Sequence, residues 1–338
     1  MKITELAWGN ARLFEIAEEG GLCVRVSDLG GLLQSVVLPD GWQAVLGYDT
    51  PEEYLRAGTF FGACIGPIAD RLTGGSCVLG GETVTLPHNA GPDAMHSGPN
   101  GFHAQKWNAE ILPDGVRLYR SFTRADTGFP GTLDAQICVR VHGSTLRLEY
   151  AAKCDRETAV SFTNHSYFRL SEASCRGQIL RVNASRYAET TCTDAPACTG
   201  VAPSVEGTPF DLRCGVRIGD VLDQTDSPEI ASAGGIDHYF LVDGAGMREH
   251  ARLTAGTREL ICFSDAPGVL IYTGNGLVAE PGRGGEIYGQ NAAVCLETER
   301  FPNAVNLPEH RSGVLLQPGE IYESATEFCF INRQTPVE

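Results

Sequence analysis

Three consecutive segments of alternating apolar and polar residues constrain the fold more than any other feature of this chain. They are residues 115–123 (GVRLYRSFT), 133–141 (LDAQICVRV) and 145–153 (TLRLEYAAK), and each has the length of a strand. A period of two places the apolar side chains on one face, so these segments predict successive antiparallel strands with one buried face. No long amphipathic helical pattern occurs, and 40 glycines and 18 prolines are spread along the chain. The sequence therefore predicts an all-β fold.

Shorter segments extend this pattern. Residues 76–79 and 82–86 flank Gly80-Gly81, and two glycines fit the positive φ angles of a tight turn, so we predict a β-hairpin. Residues 51–55 predict a brief helix. A chain of 338 residues could form two domains by length, but no linker or change of composition marks a boundary. We therefore predict one domain over residues 1–338.

The charge balance limits the classes of partner. The formal net charge of −16 disfavours nucleic acids and anionic membrane surfaces, so we expect a neutral small-molecule substrate. The first residues lack the apolar core of a signal peptide, and no apolar run approaches the roughly 18 residues of a membrane span. We therefore expect a cytoplasmic protein, acting as a monomer or a homodimer.

The twelve cysteines are scattered from Cys23 to Cys329 and form no CxxC pair. This pattern is typical of small buried apolar residues in a reducing compartment and does not indicate a disulfide scaffold. The spacing of Cys192 and Cys198, the closest pair, matches no common zinc site. We therefore expect no metal there.

Residues 160–170 (VSFTNHSYFRL) contain the first candidate catalytic residue, His165. Residues 160–163 alternate, which predicts a strand with one buried and one polar face that ends just before the histidine. Asn164 and Tyr167 could fix the tautomer of His165 and orient it, as proton transfer requires. The alternative is a structural histidine whose ring is satisfied by its neighbours at a strand end.

Two further candidates precede this segment. Asp70-Arg71 stands just before the predicted hairpin, and the arginine suits either a surface position or the binding of vicinal hydroxyls. His96, between Met95 and a glycine-rich loop, is expected at the end of a strand, where catalytic groups concentrate, although a lone loop histidine is often incidental. His103 is expected on the surface. Phe129, in the turn Gly-Phe-Pro-Gly, is expected to be exposed enough to pack on a ligand, although packing inside the turn is the default interpretation.

Two carboxylates complete the candidates. Asp237 enters an apolar strand, where it could cap the strand or hold sugar hydroxyls, and Asp237-His238 lacks a third metal ligand at a supporting spacing. Glu297 follows an apolar strand directly, so burial should raise its pKa and make it a stronger base. The alternative is a structural carboxylate paired with Arg300.

Seven segments in order resemble the aldose 1-epimerases, the galactose mutarotases. They are ADRL, MHSG with the following GF, GFPG, TNHSYF, GGIDH, YTGN and CLETERFPNAVN, over about residues 20 to 332. The resemblance implies the β-supersandwich of that family, a large antiparallel sandwich with a sugar cleft across one face. It also implies interconversion of the α and β anomers of free hexoses such as galactose or glucose, without cofactor or metal.

The resemblance assigns roles to the candidates. Glu297 would take the proton of the anomeric hydroxyl, and His165 would protonate the ring oxygen. His96 would form a hydrogen bond near that oxygen. The family's substrate contacts would fall on four residues of this chain, Asp70, Arg71, Tyr167 and Asp237.

Four positions depart from the family pattern. Asp70 stands where the family commonly has Asn, Glu299 where it commonly has Gln, Pro67 where many members have Arg, and Leu270 where some have Gln. These changes should shift sugar preference without abolishing ring opening.

Two other functions fit the same residues. A glycoside hydrolase could use Asp237 and Glu297 as its pair of carboxylates. A non-catalytic sugar-binding β-sandwich could keep Arg71 and Asp237 without needing His165 and Glu297 together.

Overall fold

Strands form most of the regular structure in the computed structural model, which describes residues 1–171, 174–193 and 195–333. The predicted domain of residues 1–338 also includes residues 172, 173, 194 and 334–338, which lie outside the described residues. The first strands are β1 Lys2–Trp8, β2 Ala11–Ala17, β3 Cys23–Ser27, β4 Leu33–Val37, β5 Cys64–Ile65, β6 Arg71–Leu72, β7 Ser76–Leu79, β8 Glu82–Thr85, β9 Ala94–Met95, β10 Asn108–Leu112, β11 Gly115–Thr123, β12 Thr132–His142, β13 Thr145–Cys154 and β14 Thr158–Ala159. The remaining strands are β15 Thr163–Asn164, β16 Tyr167–Phe168, β17 Ile179–Val182, β18 Ala184–Tyr187, β19 Val216–Arg217, β20 Asp237–Val242, β21 Arg248–Ala255, β22 Arg258–Ser264, β23 Gly268–Tyr272, β24 Glu280–Pro281, β25 Ile287–Tyr288, β26 Val294–Glu299, β27 Leu315–Leu316 and β28 Tyr322–Asn332.

The helices of the described residues are short. The α-helices are α1 Pro51–Arg56, α2 Arg124–Thr127, α3 Ile218–Leu222, α4 Pro228–Ala233 and α5 Pro308–Arg311. Single 3-10 turns occupy Thr73–Gly75, Phe102–Ala104, Cys175–Gly177, Arg283–Gly285 and Ala304–Asn306. Among the helices in the described ranges, none has the length and apolar character needed to cross a membrane.

A nine-stranded antiparallel sheet forms the larger layer, in the order β10-β11-β12-β13-β28-β22-β21-β17-β19. The three segments with the clearest alternation are its strands β11, β12 and β13, as predicted. Leu118 pairs with Ile137, and Ile137 with Tyr150, so one apolar row crosses the three strands. All three side chains are buried, which confirms the face that the alternation predicted.

A five-stranded sheet, β16-β26-β23-β20-β18, packs against this layer. Residues alternate between its two faces, and Phe240, Ile271 and Leu296 belong to the same apolar core as the nine-stranded sheet. The ring of Phe168 in β16 lies 4.7 Å from that of Phe328 in β28, which joins the layers. These layers confirm the predicted all-β antiparallel sandwich. A four-stranded sheet, β1 to β4, adds its apolar face to the same core.

The structure also confirms two predictions made from local sequence, the hairpin and the brief helix. The hairpin β7–β8 turns at Gly80 and Gly81, with φ angles of 56° and 82°. Helix α1 begins after Thr50, whose hydroxyl accepts from the Glu53 backbone while the Glu53 carboxylate accepts from the Thr50 backbone. This reciprocal cap explains why so short a segment is helical.

Residues 160–163 do not form the predicted strand with one polar face. Pairing in a sheet begins only at Thr163–Asn164, in β15, and residues 160–168 are all buried. Their backbone is satisfied by separate segments: the amide of Val160 donates to Val314, and that of Phe162 to the Tyr322 hydroxyl. The polar side chains are therefore enclosed by the protein and do not face solvent.

Two predictions of exposure are also wrong. Phe129 is 2% exposed and packs in an apolar cluster with Leu79 and Leu86, so it cannot contact a ligand. His103 is half-buried, with its ring 4.9 Å from that of Phe60. The twelve cysteines are all free, and six of them are buried as expected, whereas Cys192 and Cys214 are exposed.

Candidate active site

The outer face of the five-stranded sheet forms the floor of a pocket. One cross-strand row runs from Tyr167 through Cys295 and Tyr272 to Asp237. The next row runs from Glu297 through Leu270 to Tyr239. Along each strand these residues alternate with core residues. Because successive side chains of a strand point to opposite faces, one enters the core and the next enters the pocket.

The pocket has a volume of about 200 Å³ and brings together residues that are far apart in the sequence. Its size suits a small ligand, because pockets for drug-sized ligands are usually larger than about 300 Å³. All of the predicted site residues line it: Asp70, Arg71, His96, His165, Tyr167, Asp237 and Glu297.

His165 and Glu297 are in direct contact. Nε2 of His165 lies 3.5 Å from Oε1 of Glu297, and both side chains are buried. The His165 ring stacks on Tyr167, with centroids 5.0 Å apart, and on Phe60, with centroids 5.9 Å apart. Nδ1 of His165 contacts Sγ of Cys295 at 3.5 Å. This packing fixes the ring so that Nε2 faces the carboxylate.

Burial shifts the pKa values of His165 and Glu297 in opposite directions. It lowers the pKa of His165 to about 3. It also raises the pKa of Glu297 well above its usual value, and the carboxylates of Asp70 and Asp237 raise it further. A carboxyl group with a raised pKa is a stronger base than an exposed one, which is a common property of proton-transfer sites.

Asp70 and His96 hold each other in place. The Asp70 amide donates to Nδ1 of His96 at 3.1 Å, and the His96 amide donates to the Asp70 carbonyl at 2.9 Å. Their φ angles are 58° and 53°, in the left-handed region that residues with a Cβ rarely adopt. Such conformations persist only where neighbouring contacts enforce them, and they concentrate at functional sites.

The contact with Asp70 also determines the tautomer of His96. Because Nδ1 accepts a hydrogen bond, the proton of the neutral ring resides on Nε2. Burial, with the nearby ring of His165, lowers the pKa of His96 well below its usual value, which favours the neutral ring. His96 is therefore a hydrogen-bond donor at its free nitrogen.

Three possible metal ligands meet in the pocket: His96, His165 and Glu297 offer ligand atoms within 4.8 Å of one another. A metal ligand must present a lone pair, whereas Nε2 of His96 carries a proton in the tautomer described above. This donor set therefore suits proton exchange better than metal coordination.

Arg71 is the only lysine or arginine among the described residues that line the pocket. Its Nη1 pairs with Oδ2 of Asp93 at 3.3 Å and donates to the Ala90 carbonyl at 3.2 Å. These contacts hold the guanidinium beside the pocket. Its other nitrogens make no hydrogen bond among the described residues, so they can donate to a ligand.

The sequence did not reveal every lining residue. Tyr272 belongs to the YTGN segment and Tyr239 lies two residues after Asp237, so strand alternation could have placed both on the pocket face. Phe60 has no such signal, because it enters the pocket from an irregular loop.

The suggested pairing of Glu297 with Arg300 is wrong, since the Arg300 guanidinium donates to the Gly313 carbonyl and lies over the Tyr322 ring.

Comparisons with known proteins point to one family. The family model described as Aldose 1-epimerase matches residues 12–329. Galactose mutarotase of Mus musculus is 34% identical over 293 residues, which are 85% of this chain and 83% of the mouse protein. Aldose 1-epimerase of Escherichia coli (strain K12) is 33% identical over 339 residues, 95% of each chain.

Solved structures agree with these sequence relatives. The GalM/aldose epimerase homologue of C. elegans has a TM-score of 0.88 and 25% identity, covering 96% of this chain and 100% of that chain. Galactose 1-epimerase of Lactobacillus acidophilus NCFM has a TM-score of 0.85 and 25% identity, covering 98% and 99%. The comparisons favour neither the hydrolase nor the non-catalytic alternative.

Proposed function

This chain belongs to the aldose 1-epimerase family, and we propose from that premise that Glu297 and His165 exchange the protons of anomer interconversion. The chain is an isomerase that interconverts the α and β anomers of aldoses. The mouse relative is named galactose mutarotase, and the Lactobacillus acidophilus structure is named galactose 1-epimerase. We propose that this chain likewise acts on free hexoses such as galactose and glucose. The observation that carries the residue roles is the 3.5 Å contact between Nε2 of His165 and Oε1 of Glu297.

Ring opening needs one proton removed and one supplied. Glu297 takes the proton of the anomeric hydroxyl, the electron pair of that O–H bond forms the aldehyde, and the bond from C1 to the ring oxygen breaks. His165 gives its proton to the ring oxygen. Rotation about the C1–C2 bond then exposes the other face of the aldehyde, and closure reverses both transfers, so atoms and protons balance over the cycle.

The mechanism requires one proton on the pair, held by His165 when the sugar opens. Burial favours the proton on Glu297, because it raises the pKa of that carboxyl group and lowers the pKa of His165. A sugar hydroxyl that donates to Glu297 stabilises its charged form, because hydrogen bonds to a carboxylate lower its pKa. Sugar binding therefore favours transfer of the proton across the contact to Nε2 of His165.

The remaining polar residues hold the sugar. The Nε2–H of His96 is placed to donate to the ring oxygen and so to stabilise charge that develops there. Arg71 donates to hydroxyls, whereas Asp70 and Asp237 accept from them, and Tyr167 supports one side of the pocket. A hexose bound by these groups presents its anomeric carbon to the acid–base pair.

Polarimetry on freshly dissolved α-galactose and α-glucose tests the proposal. We expect faster relaxation of optical rotation, with no bond cleavage by chromatography. His165→Asn should remove most of the acceleration, whereas His142→Asn, which changes an exposed histidine, should not. Wild-type rates in His165→Asn would contradict the assigned acid.

We further propose that the protein works in the cytoplasm, as a monomer or a homodimer. Twelve free cysteines are typical of a reducing compartment. The seven proposed site residues all line one pocket of a single chain, which fits a monomer as well as a homodimer with one site in each copy. Sedimentation at assay concentration would distinguish the two states.

A further inference from the structure

Carboxylates dominate the charge of the pocket. Asp70, Asp237, Glu297 and Glu299 line it, and Arg71 is the one cationic side chain among the described lining residues, because burial lowers the pKa of His96 and of His165 and keeps both rings neutral. Arg71 is already paired with Asp93, whose side chain is 4% exposed. Asp93 shares the positive charge of Arg71, and one guanidinium cannot balance four carboxylates, so the pocket carboxylates lack a full set of countercharges among the described residues.

Two of these carboxylates are buried without a hydrogen-bond partner. Oε1 of Glu297 and Oε1 of Glu299 make no hydrogen bond among the described residues, and the two residues are only 1% and 2% exposed. Glu297 and Glu299 lie two residues apart on strand β26, so both side chains leave the same face of the sheet. Buried polar atoms are normally paired, and an unpaired charged one is costly. Each orphaned oxygen therefore indicates a missing donor.

The catalytic cycle supplies a donor for Glu297 but not for Glu299. A neutral hexose can offer hydroxyls, yet it brings no positive charge that would stabilise these carboxyl groups in their ionised form. A protonated amine offers three donors and a positive charge, and hydrogen bonds between charged groups are about twice as strong as neutral ones. We propose that the pocket prefers aminohexoses, with the ammonium group bound among Asp70, Asp237 and Glu299. This inference rests on the proposed mutarotase function.

The protonation behaviour of the cluster agrees with this assignment. Burial raises the pKa of Glu299 well above its usual value, and the carboxylates of Asp70, Glu297 and Asp237 raise it further. Burial, with the carboxylate of Asp70, raises the pKa of Asp237 to about 7. A bound cation lowers these pKa values, so an aminohexose should displace protons that a neutral hexose leaves in place.

Three sugars that differ in one group test the proposal: galactosamine, N-acetylgalactosamine and galactose. At pH 6, where the amine is protonated, we expect kcat/KM for anomer interconversion to be about tenfold or more higher for galactosamine than for the other two. Equal or lower values for galactosamine, with galactose still accelerated, would overturn the inference and leave the mutarotase function intact. If no sugar is accelerated, the proposed function itself fails.

Glu299→Gln tests the residue assignment, because the amide keeps the size of the side chain and removes its charge. We expect the ratio of kcat/KM for galactosamine over galactose to fall about tenfold. Glu19→Gln removes an exposed carboxylate and should leave that ratio unchanged. An unchanged ratio in a folded Glu299→Gln protein would contradict the role of Glu299.

Calorimetry on the wild-type protein provides a measurement that does not depend on a variant folding. Binding heats at pH 6 in two buffers with different ionisation enthalpies give the number of protons released. We expect net release with galactosamine and none with galactose. Equal proton release for the two sugars would contradict an ammonium bound among the carboxylates.

Discussion

Neutralising Glu297 should separate activity from stability. The change Glu297→Gln keeps the volume of the side chain and removes the proposed base that lies 3.5 Å from His165. General acid–base groups typically contribute about 10²- to 10⁴-fold each, or roughly 2.7 to 5.4 kcal/mol of transition-state stabilisation. We expect the polarimetric rate with galactose to fall by that factor.

The double variant tests whether the two groups act as one unit. If Glu297 and His165 acted independently, Glu297→Gln combined with His165→Asn would lose about 10⁴- to 10⁸-fold, the product of the single losses. If the pair shares one working proton, removing either partner disables both, so the double variant should be about as slow as the slower single variant. Losses that multiply would refute the shared-proton mechanism.

Stability provides the control against unfolding. Because burial raises the pKa of Glu297, the folded protein keeps a proton at pH values where the unfolded chain has lost it. The contribution of this group therefore favours the folded state below the unfolded pKa of about 4.5 and is lost as the pH rises through the folded value. At pH 8, Glu297→Gln should unfold at the same temperature as the wild-type protein or higher, with a gain of up to about 3 kcal/mol. If Glu297→Gln instead unfolds at or below the assay temperature, the loss of rate would be explained by unfolding.

Three further outcomes are expected. Asp70→Asn removes a carboxylate that raises the pKa of Glu297, so the alkaline limb of the bell-shaped rate profile should move to lower pH; an unmoved limb would exclude this coupling. Phe129→Ala should lower the free energy of unfolding by about 3 to 5 kcal/mol in denaturant titrations because Phe129 is 2% exposed, whereas Tyr119→Ala, at a 42% exposed position, should change it by far less. Dithiothreitol should leave the Tm unchanged because all twelve cysteines are free, and a drop would reveal a disulfide.

The sequence predicted best where local pattern determines structure. Strands β11 to β13 alternate because one face is buried, so their period is visible in the residues. The hairpin at Gly80-Gly81 follows from the φ angles that its turn needs. Each of these features depends on neighbours in the sequence.

The prediction failed where distant segments determine structure. Residues 160–168 are all buried, so the polar residues among them do not mark a face that is exposed to solvent. Phe60 enters the pocket from an irregular loop, and its ring contacts those of His96 and His165, which are distant in the sequence. Local patterns singled out the candidate site residues, but only the family resemblance joined them in one site, because their convergence depends on the sheet and not on spacing.

The position of β28 has a consequence for synthesis on the ribosome. This strand, Tyr322–Asn332, lies between β13 and β22 in the middle of the nine-stranded sheet. Until residue 332 has left the exit tunnel, the edges of β13 and β22 remain open and can pair with other nascent chains. We expect chains that stall before Tyr322 to aggregate, even though every pocket residue has by then been translated.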